Sequence, residues 1–243
     1  MPFDATLQAA LAAMSRVTPV AAAHNTEFPM GIAVPLPPKD LMFRVGSPDA
    51  ANFLYVCDQW SQVAGRLLKP DARILDIGAG CGKPARAFLH HPYVAEYVGI
   101  DVDVDLVNWA NAYLRPASSK RFLFTWMNVQ SDTYAKAGAV AADAAAFPVA
   151  PDHFTFVIAA SLFTHLTTAA SANYLKQARV ACVTGAQMLV SIHIEPVGDA
   201  SGNTERADYR PRFFVDLAAA AGWTLAAPLG ELAGQEALLL TAV

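Results

Sequence analysis

The stretch Arg73-Ile-Leu-Asp-Ile-Gly-Ala-Gly-Cys-Gly-Lys-Pro84 decides the fold of this chain. Ile74, Leu75 and Ile77 make a short β-rich run that ends abruptly in the alternating glycines Gly78, Gly80 and Gly82. Pro84 then opens Ala85-Arg86-Ala87-Phe88-Leu89, in a first helical turn where its missing N–H would be unpaired anyway. The pattern is strand, glycine turn, helix. Glycine serves where the backbone needs positive φ, or where a ligand lies against the main chain. Such a turn is also expected to offer the free N–H groups of a helix N-terminus to that ligand.

Spacing separates the families that use this turn. A Walker loop needs Gly-x4-Gly-Lys-Ser/Thr, but Ile77 stands where its first glycine belongs and Pro84 replaces the hydroxyl residue. The dinucleotide fingerprint Gly-x-Gly-x-x-Gly, started at Gly78 and Gly80, puts its third glycine on Lys83. What remains is Asp76-x-Gly78-x-Gly80-x-Gly82. Downstream, Tyr97-Val98-Gly99-Ile100 reads as a second strand ending in Asp101, about twenty residues past the glycines, where doubly wound folds place an acid for ribose hydroxyls. Asp103-Val-Asp105-Leu-Val-Asn-Trp-Ala110 reads as the helix that follows. In that order and at that spacing, the chain resembles the class I S-adenosylmethionine (SAM) dependent methyltransferases.

Composition sets bounds on this resemblance. The 243 residues suit one α/β domain with an appendage, and 54% hydrophobic against 16% charged residues allows a large core. A net charge of −4 with no basic run argues against nucleic acid as substrate. Cys57, Cys81 and Cys182 lack Cys-x-x-Cys spacing, so they read as reduced thiols and not as a zinc site or disulfide frame. No apolar run is long enough to span a bilayer, and Asp4 and Arg16 sit wrongly for a signal peptide. The expected protein is soluble and cytoplasmic, with no membrane or nucleic-acid partner. Nothing in the sequence indicates an oligomeric state.

Residues 1–46 read as an N-terminal extension: a helix over 4–14, then a segment punctuated by Pro19, Pro29, Pro35, Pro37 and Pro38. In methyltransferases such an extension often forms a lid, with Leu41-Met-Phe-Arg44-Val-Gly46 as its closing piece; the competing reading is a cover for a sheet edge. Residues 47–243 form the expected SAM-binding domain. Ser47-Pro48-Asp49 starts a helix whose Phe53, Val56, Trp60, Val63 and Leu67 recur at helical spacing, and its aromatics read as packing.

Phe122-Leu-Phe-Thr-Trp-Met127 is the third expected strand, followed by Asn128-Val129. The resemblance puts an adenine acceptor here, and two residues compete for the role. Asn128 directly ends the strand and is preferred; Asp143, in Ala142-Asp143-Ala-Ala-Ala-Phe147-Pro148, resembles a second family signature. Residues 130–146 read as loop plus a short helix. Phe154-Thr-Phe-Val-Ile-Ala159 is nearly continuous in apolar character, as a buried parallel strand should be. It leads into Ser161-Leu-Phe-Thr-His165-Leu166, which resembles the Ser-x-Phe-Thr-His-Leu pattern of a bacterial subgroup. A helix over 169–183, a strand over 187–193, a polar loop over 198–212, a helix over 213–221 and a closing hairpin complete the chain.

The implied fold is α/β and Rossmann-like: a doubly wound, mostly parallel seven-stranded sheet with an antiparallel C-terminal hairpin. The resemblance implies that Asp76, Gly78, Ala79, Gly80, Gly82, Asp101, Val102, Asn128, Val129 and Ser161 bind SAM. His165 is the candidate general base, against a purely structural role in holding its loop. His193 and Glu195 are its substitutes and the candidate substrate contacts. No metal is implied, because the histidines lack paired ligand spacing. The expected reaction is methylation of a small molecule, with O-methylation of a hydroxylated metabolite or sugar preferred. The alternatives are N-methylation, or a scaffold that keeps the fold without turnover.

Overall fold

The computed structural model describes residues 34–243. The expected helix over 4–14 and the prolines at 19 and 29 lie outside them. Helices α1 (Lys39–Arg44) and α2 (Ala50–Leu67) precede β1 (Ala72–Ile77), the one-turn α3 (Ala85–Phe88), β2 (Val94–Asp101), α4 (Val104–Tyr113) and β3 (Arg121–Trp126). After a long loop come β4 (Phe154–Ala159), a 3₁₀ turn (Phe163–His165), α5 (Thr168–Ala181) and β5 (Cys182–Ile194). The short strands β6 (Ala200–Gly202) and β7 (Ala207–Tyr209), α6 (Pro211–Ala220), β8 (Trp223–Leu232) and β9 (Gln235–Ala242) end the chain.

β1 pairs in parallel with β2 and β4, β2 with β3, and β4 with β5, while β9 runs antiparallel between β5 and β8. These strands are the seven that the sequence implied. The sheet nevertheless has nine strands among the described residues. β5 outruns its pairing with β9, and its last residues, His193 and Ile194, pair with Asp208 and Tyr209 of β7, which β6 joins as a two-stranded flap. The segment read as polar loop is therefore partly strand. Its strands are too short to carry a pattern and exist because β5 supplies an edge.

Both faces of the sheet are covered, which explains the near-continuous apolar runs in its central strands. Ile74, Tyr97, Phe124, Phe156 and Leu189 pack on one face with Phe53 and Trp60 of α2 and Leu106 of α4. Leu75, Val98, Val157 and Val190 pack on the other with Leu175 of α5 and Phe214 of α6. Full burial of each such side chain stabilises the fold by about 1.5–3 kcal/mol. Asp49 caps α2 through the Asn52 N–H at 2.7 Å, and Asp103 caps α4 through the Asp105 and Leu106 N–H groups. Residues 130–146 hold turns and isolated bridges, with no helix. Asn173 of α5 replaces helical hydrogen bonds there by donating to the carbonyls of Ala142 and Ala145.

Candidate active site

A cavity of about 540 Å³ opens at the carboxyl ends of β1, β2 and β4, where open α/β sheets place their ligands. Its floor is the glycine turn. Gly78, Gly80 and Gly82 all have positive φ, and a Cβ on Gly80 would lie 2.8 Å from Val45 Cγ1. The turn is clamped from within: the Gly78 and Ala79 N–H groups donate to the Ile100 carbonyl, Gly80 N–H to Asp101 Oδ2 at 2.7 Å, and Gly82 N–H to the Ala79 carbonyl. The Arg86 N–H returns to Gly82, and α3 is a single turn. The N–H groups of Gly78, Ala79, Gly80 and Gly82 are thus consumed in shaping the loop.

Two carboxylates stand ready. Asp76 is fully buried; its Oδ2 accepts from the Tyr97 hydroxyl at 2.5 Å, and its Oδ1 has no partner. Burial pushes its pKa up to about 7, despite the Tyr97 hydrogen bond. Asp101 accepts from Gly80 N–H through one oxygen and from Asp103 N–H through the other, and burial raises its pKa to about 6. Each oxygen keeps a second lone pair for a ligand hydroxyl.

His165 lines the same cavity. Its Nδ1 lies 2.9 Å from the Glu205 carbonyl. A carbonyl only accepts, so Nδ1 carries the proton and Nε2 keeps its lone pair in the neutral ring. Desolvation holds the ring below its ordinary pKa, against the pull of the Glu205 and Thr204 carbonyls. The turn beneath it is anchored by Thr164 Oγ1 donating to Ser161 O and by the Tyr209 hydroxyl donating to Leu166 O. Ser161 takes a φ of +55°, a strained conformation for a side chain that is neither Gly nor Asn. Its N–H donates to Ser191 Oγ.

The tip of the flap closes over this side. Thr133 Oγ1 donates to Thr204 O, and Thr204 Oγ1 donates to Asp132 Oδ2 at 3.0 Å. Tyr134 meets the His165 ring edge-to-face at 5.6 Å.

Of the residues expected to bind cofactor, Asp76, Gly78, Ala79, Gly80, Asp101, Val102, Val129 and Ser161 line the cavity, while Gly82 shapes the turn from behind. Asn128 does not line it; its Oδ1 accepts from Ala139 N–H, and Asp143 is in the wall instead. The returning loop claims the Asn128 amide, a contact that no strand-end rule foresees. His193 and Glu195 also lie outside the lining. His193 pairs across to β7, and Glu195 is partly exposed, accepting from Ser201 Oγ and from the Val197 and Gly198 N–H groups. The sequence missed Tyr134 and Thr204, which sit in unpatterned polar segments. It assigned Trp60 to packing alone, because the wall of a cavity and the core share one helical periodicity.

Comparisons with known proteins agree with this geometry. The methyltransferase domain family matches residues 50–227, well over half the chain. No curated protein matches. Among solved structures, a SAM dependent methyltransferase from Aquifex aeolicus superposes with a TM-score of 0.59 at 15% identity, covering 86% of this chain and 100% of the other. One from Methanosarcina mazei gives 0.55 at 15% identity, with 74% and 97% covered. A TehB-like SAM-dependent methyltransferase from Corynebacterium glutamicum gives 0.53 at 14% identity, with 83% and 92% covered. At these identities the structures speak for the fold. The family match joins that fold to the glycine turn and its two acids: the chain belongs to the methyltransferase domain family and is a SAM-dependent methyltransferase.

Proposed function

We propose that the chain methylates a hydroxyl group of a small-molecule acceptor, with His165 as general base. The observation that carries this is the His165 tautomer: Nδ1–H is held by the Glu205 carbonyl, so Nε2 is left as a proton acceptor in the cavity wall. A hydroxyl must lose a proton on methylation, and a base of lowered pKa is neutral and ready near pH 7. When bound, SAM supplies a methyl carbon activated by its sulfonium. The residues fit it. Asp101 would accept from the ribose hydroxyls, Asp76 would offer its unpartnered Oδ1 to the ammonium, and Asp143, which lines the cavity, would take the adenine amino group in place of Asn128.

The strap from residue 34 to Gly46 serves as a lid over the donor side. Arg44 holds it to Asp103 and Asp105 at 3.0 and 2.9 Å, and Arg86 donates to the Val34 and Pro35 carbonyls. The flap covers the acceptor side, excluding water. Positioning of this kind supplies about 7–11 kcal/mol of rate enhancement, and the base a further factor of about 10²–10⁴. Among the described residues no group of three or more His, Cys, Asp and Glu is placed to hold a metal ion. No helix among them is long and apolar enough to cross a membrane.

The test is a screen of hydroxylated and amine acceptors with SAM and a chelator, with products identified by mass spectrometry. Methyl ethers are the expected products. Methylation confined to amines would overturn the hydroxyl assignment while leaving the family intact.

A further inference from the structure

We propose that Asp132, Thr133 and Thr204 are positioning residues for His165: they latch the tip of the flap, and the latched tip fixes the tautomer of the ring. This rests on His165 as the general base. The root of the flap is tied down independently of the latch. His193 and Ile194 of β5 pair with β7, and the Glu195 N–H donates to the Tyr209 carbonyl. The buried Tyr209 hydroxyl donates to the Leu166 carbonyl at 2.8 Å and lies 2.9 Å from Ser171 Oγ. The tip, residues 203–206, is closed on itself, with Asn203 Oδ1 accepting from the Glu205 and Arg206 N–H groups. Among the described residues, the hydrogen bonds joining this tip to the molecule outside the flap run to Thr133, Asp132 and His165.

One turn supplies the latch. Ser131 and Ala135 exchange backbone hydrogen bonds at 3.0 and 2.9 Å, and the three residues between them all reach this corner of the site. Thr133 Oγ1 donates to the Thr204 carbonyl at 3.1 Å, Thr204 Oγ1 donates to Asp132 Oδ2, and the Tyr134 ring packs on the imidazole. The next carbonyl along the flap, that of Glu205, is the one that holds His165 Nδ1. Fixing Thr204 therefore fixes its neighbour. A neutral imidazole has one N–H, and the hydrogen bond made by one nitrogen decides the state of the other. With the tip latched, Nδ1 carries the proton and Nε2 accepts. With the tip released, Nδ1 loses this carbonyl, both tautomers populate, and the fraction able to accept through Nε2 falls. Both latch bonds are exposed and add little to stability, so removing them should move the ring without unfolding the domain.

The test is nitrogen NMR of isotope-labelled histidine in the protein with S-adenosylhomocysteine, at about pH 8, where an imidazole of lowered pKa is neutral. The His165 signals are assigned by their loss in His165→Gln. Wild type is expected to show a protonated Nδ1 and an unprotonated Nε2. Thr133→Val combined with Thr204→Val removes both donors and should average the two nitrogen shifts toward a mixture of tautomers. Thr133→Ser combined with Thr204→Ser keeps both hydroxyls and should restore the wild-type pattern. With a hydroxylated acceptor from the product screen, kcat of the valine pair should fall about 3- to 10-fold, the worth of one hydrogen bond, at unchanged S-adenosylhomocysteine affinity. A valine pair that keeps the wild-type tautomer overturns the proposal, and so does a serine pair that behaves like the valine pair. Altered shifts with kcat unmoved, or with S-adenosylhomocysteine affinity lost, also overturn it. The assignment of His165 as base fails separately, if His165→Gln turns over as fast as wild type.

Discussion

Asp76 and Glu96 are buried carboxylates on adjacent strands, at opposite ends of the sheet, and their surroundings differ in kind. Glu96, near the start of β2, accepts from His153 Nε2 at 2.7 Å and pairs with Arg121 Nε at 3.2 Å. Arg73 closes the group by donating to the His153 carbonyl. Asp76, near the end of β1, has Tyr97 on one oxygen and nothing on the other. A buried charge is expensive unless it is paired and hydrogen-bonded. The amino end of the sheet meets that condition from within the chain. The carboxyl end leaves an acceptor on Asp76 and a donor on Trp60 without hydrogen-bond partners, and a ligand that pairs them adds stability as it binds. One end of the sheet is finished by folding and the other by binding.

This contrast can be broken or sharpened by substitution. The largest effect is expected from His165→Ala, which should lower kcat by about 10²–10⁴-fold with S-adenosylhomocysteine affinity retained. Since burial lowers the His165 pKa, the wild-type rate should decline on acidification only below the ordinary histidine range. A variant that keeps this acidic limb would show that another group is the base.

Gly82→Ala should cost about 2–4 kcal/mol of stability. It combines a φ of +75° with a Cβ placed 2.4 Å from Leu114 Cδ1, so left-handed strain adds to overpacking. Gly185→Ala has a similar φ of +79° in open space and isolates the backbone share. Equal denaturant midpoints for the two variants would mean that Leu114 yields freely.

Asp101→Ala should weaken S-adenosylhomocysteine by about 1.5–3 kcal/mol and lower the melting temperature as well, because Gly80 loses its anchor. In wild type the ionised carboxylate is the acceptor and burial raises its pKa to about 6. Acidification through about 6 should therefore protonate it and weaken binding, in addition to the loss expected as Asp76 protonates at about 7. Dissociation constants that stay flat from pH 5 to 8, on the order of two units around that pKa, would place the ribose elsewhere.

The smallest effect belongs to the finished end. Glu96→Gln should remove about 1 kcal/mol of stability, softened because Arg121 is largely exposed, and should leave ligand affinity unchanged. A loss of affinity in calorimetry would end the separation between the two poles of the sheet.

Several elements could be read locally and several could not. β1, β2 and β4 announce themselves as apolar runs between glycine or acidic ends, and the caps at Asp49 and Asp103 sit where the sequence puts them. β6 and β7 do not, because strands of three residues need the overhanging end of β5 to exist. The strand-end position favoured Asn128 over Asp143 as the adenine acceptor, yet the loop returning through Ala139 captures the Asn128 amide. Likewise, helical spacing marks Trp60 as buried without saying that its N–H lacks a partner.

The sequence by itself determined the order of strands, the glycine turn and the acids at its flanks. These depend on φ preferences and on apolar periodicity over a few neighbours, which any local window contains. Only the tertiary structure decided which polar groups are satisfied and which await a ligand. That accounting runs through partners far apart in the chain, such as Gln59 Oε1 with the Ala233 N–H, 174 residues on. It has one answer only when the whole sheet is assembled and each buried donor and acceptor has its neighbours.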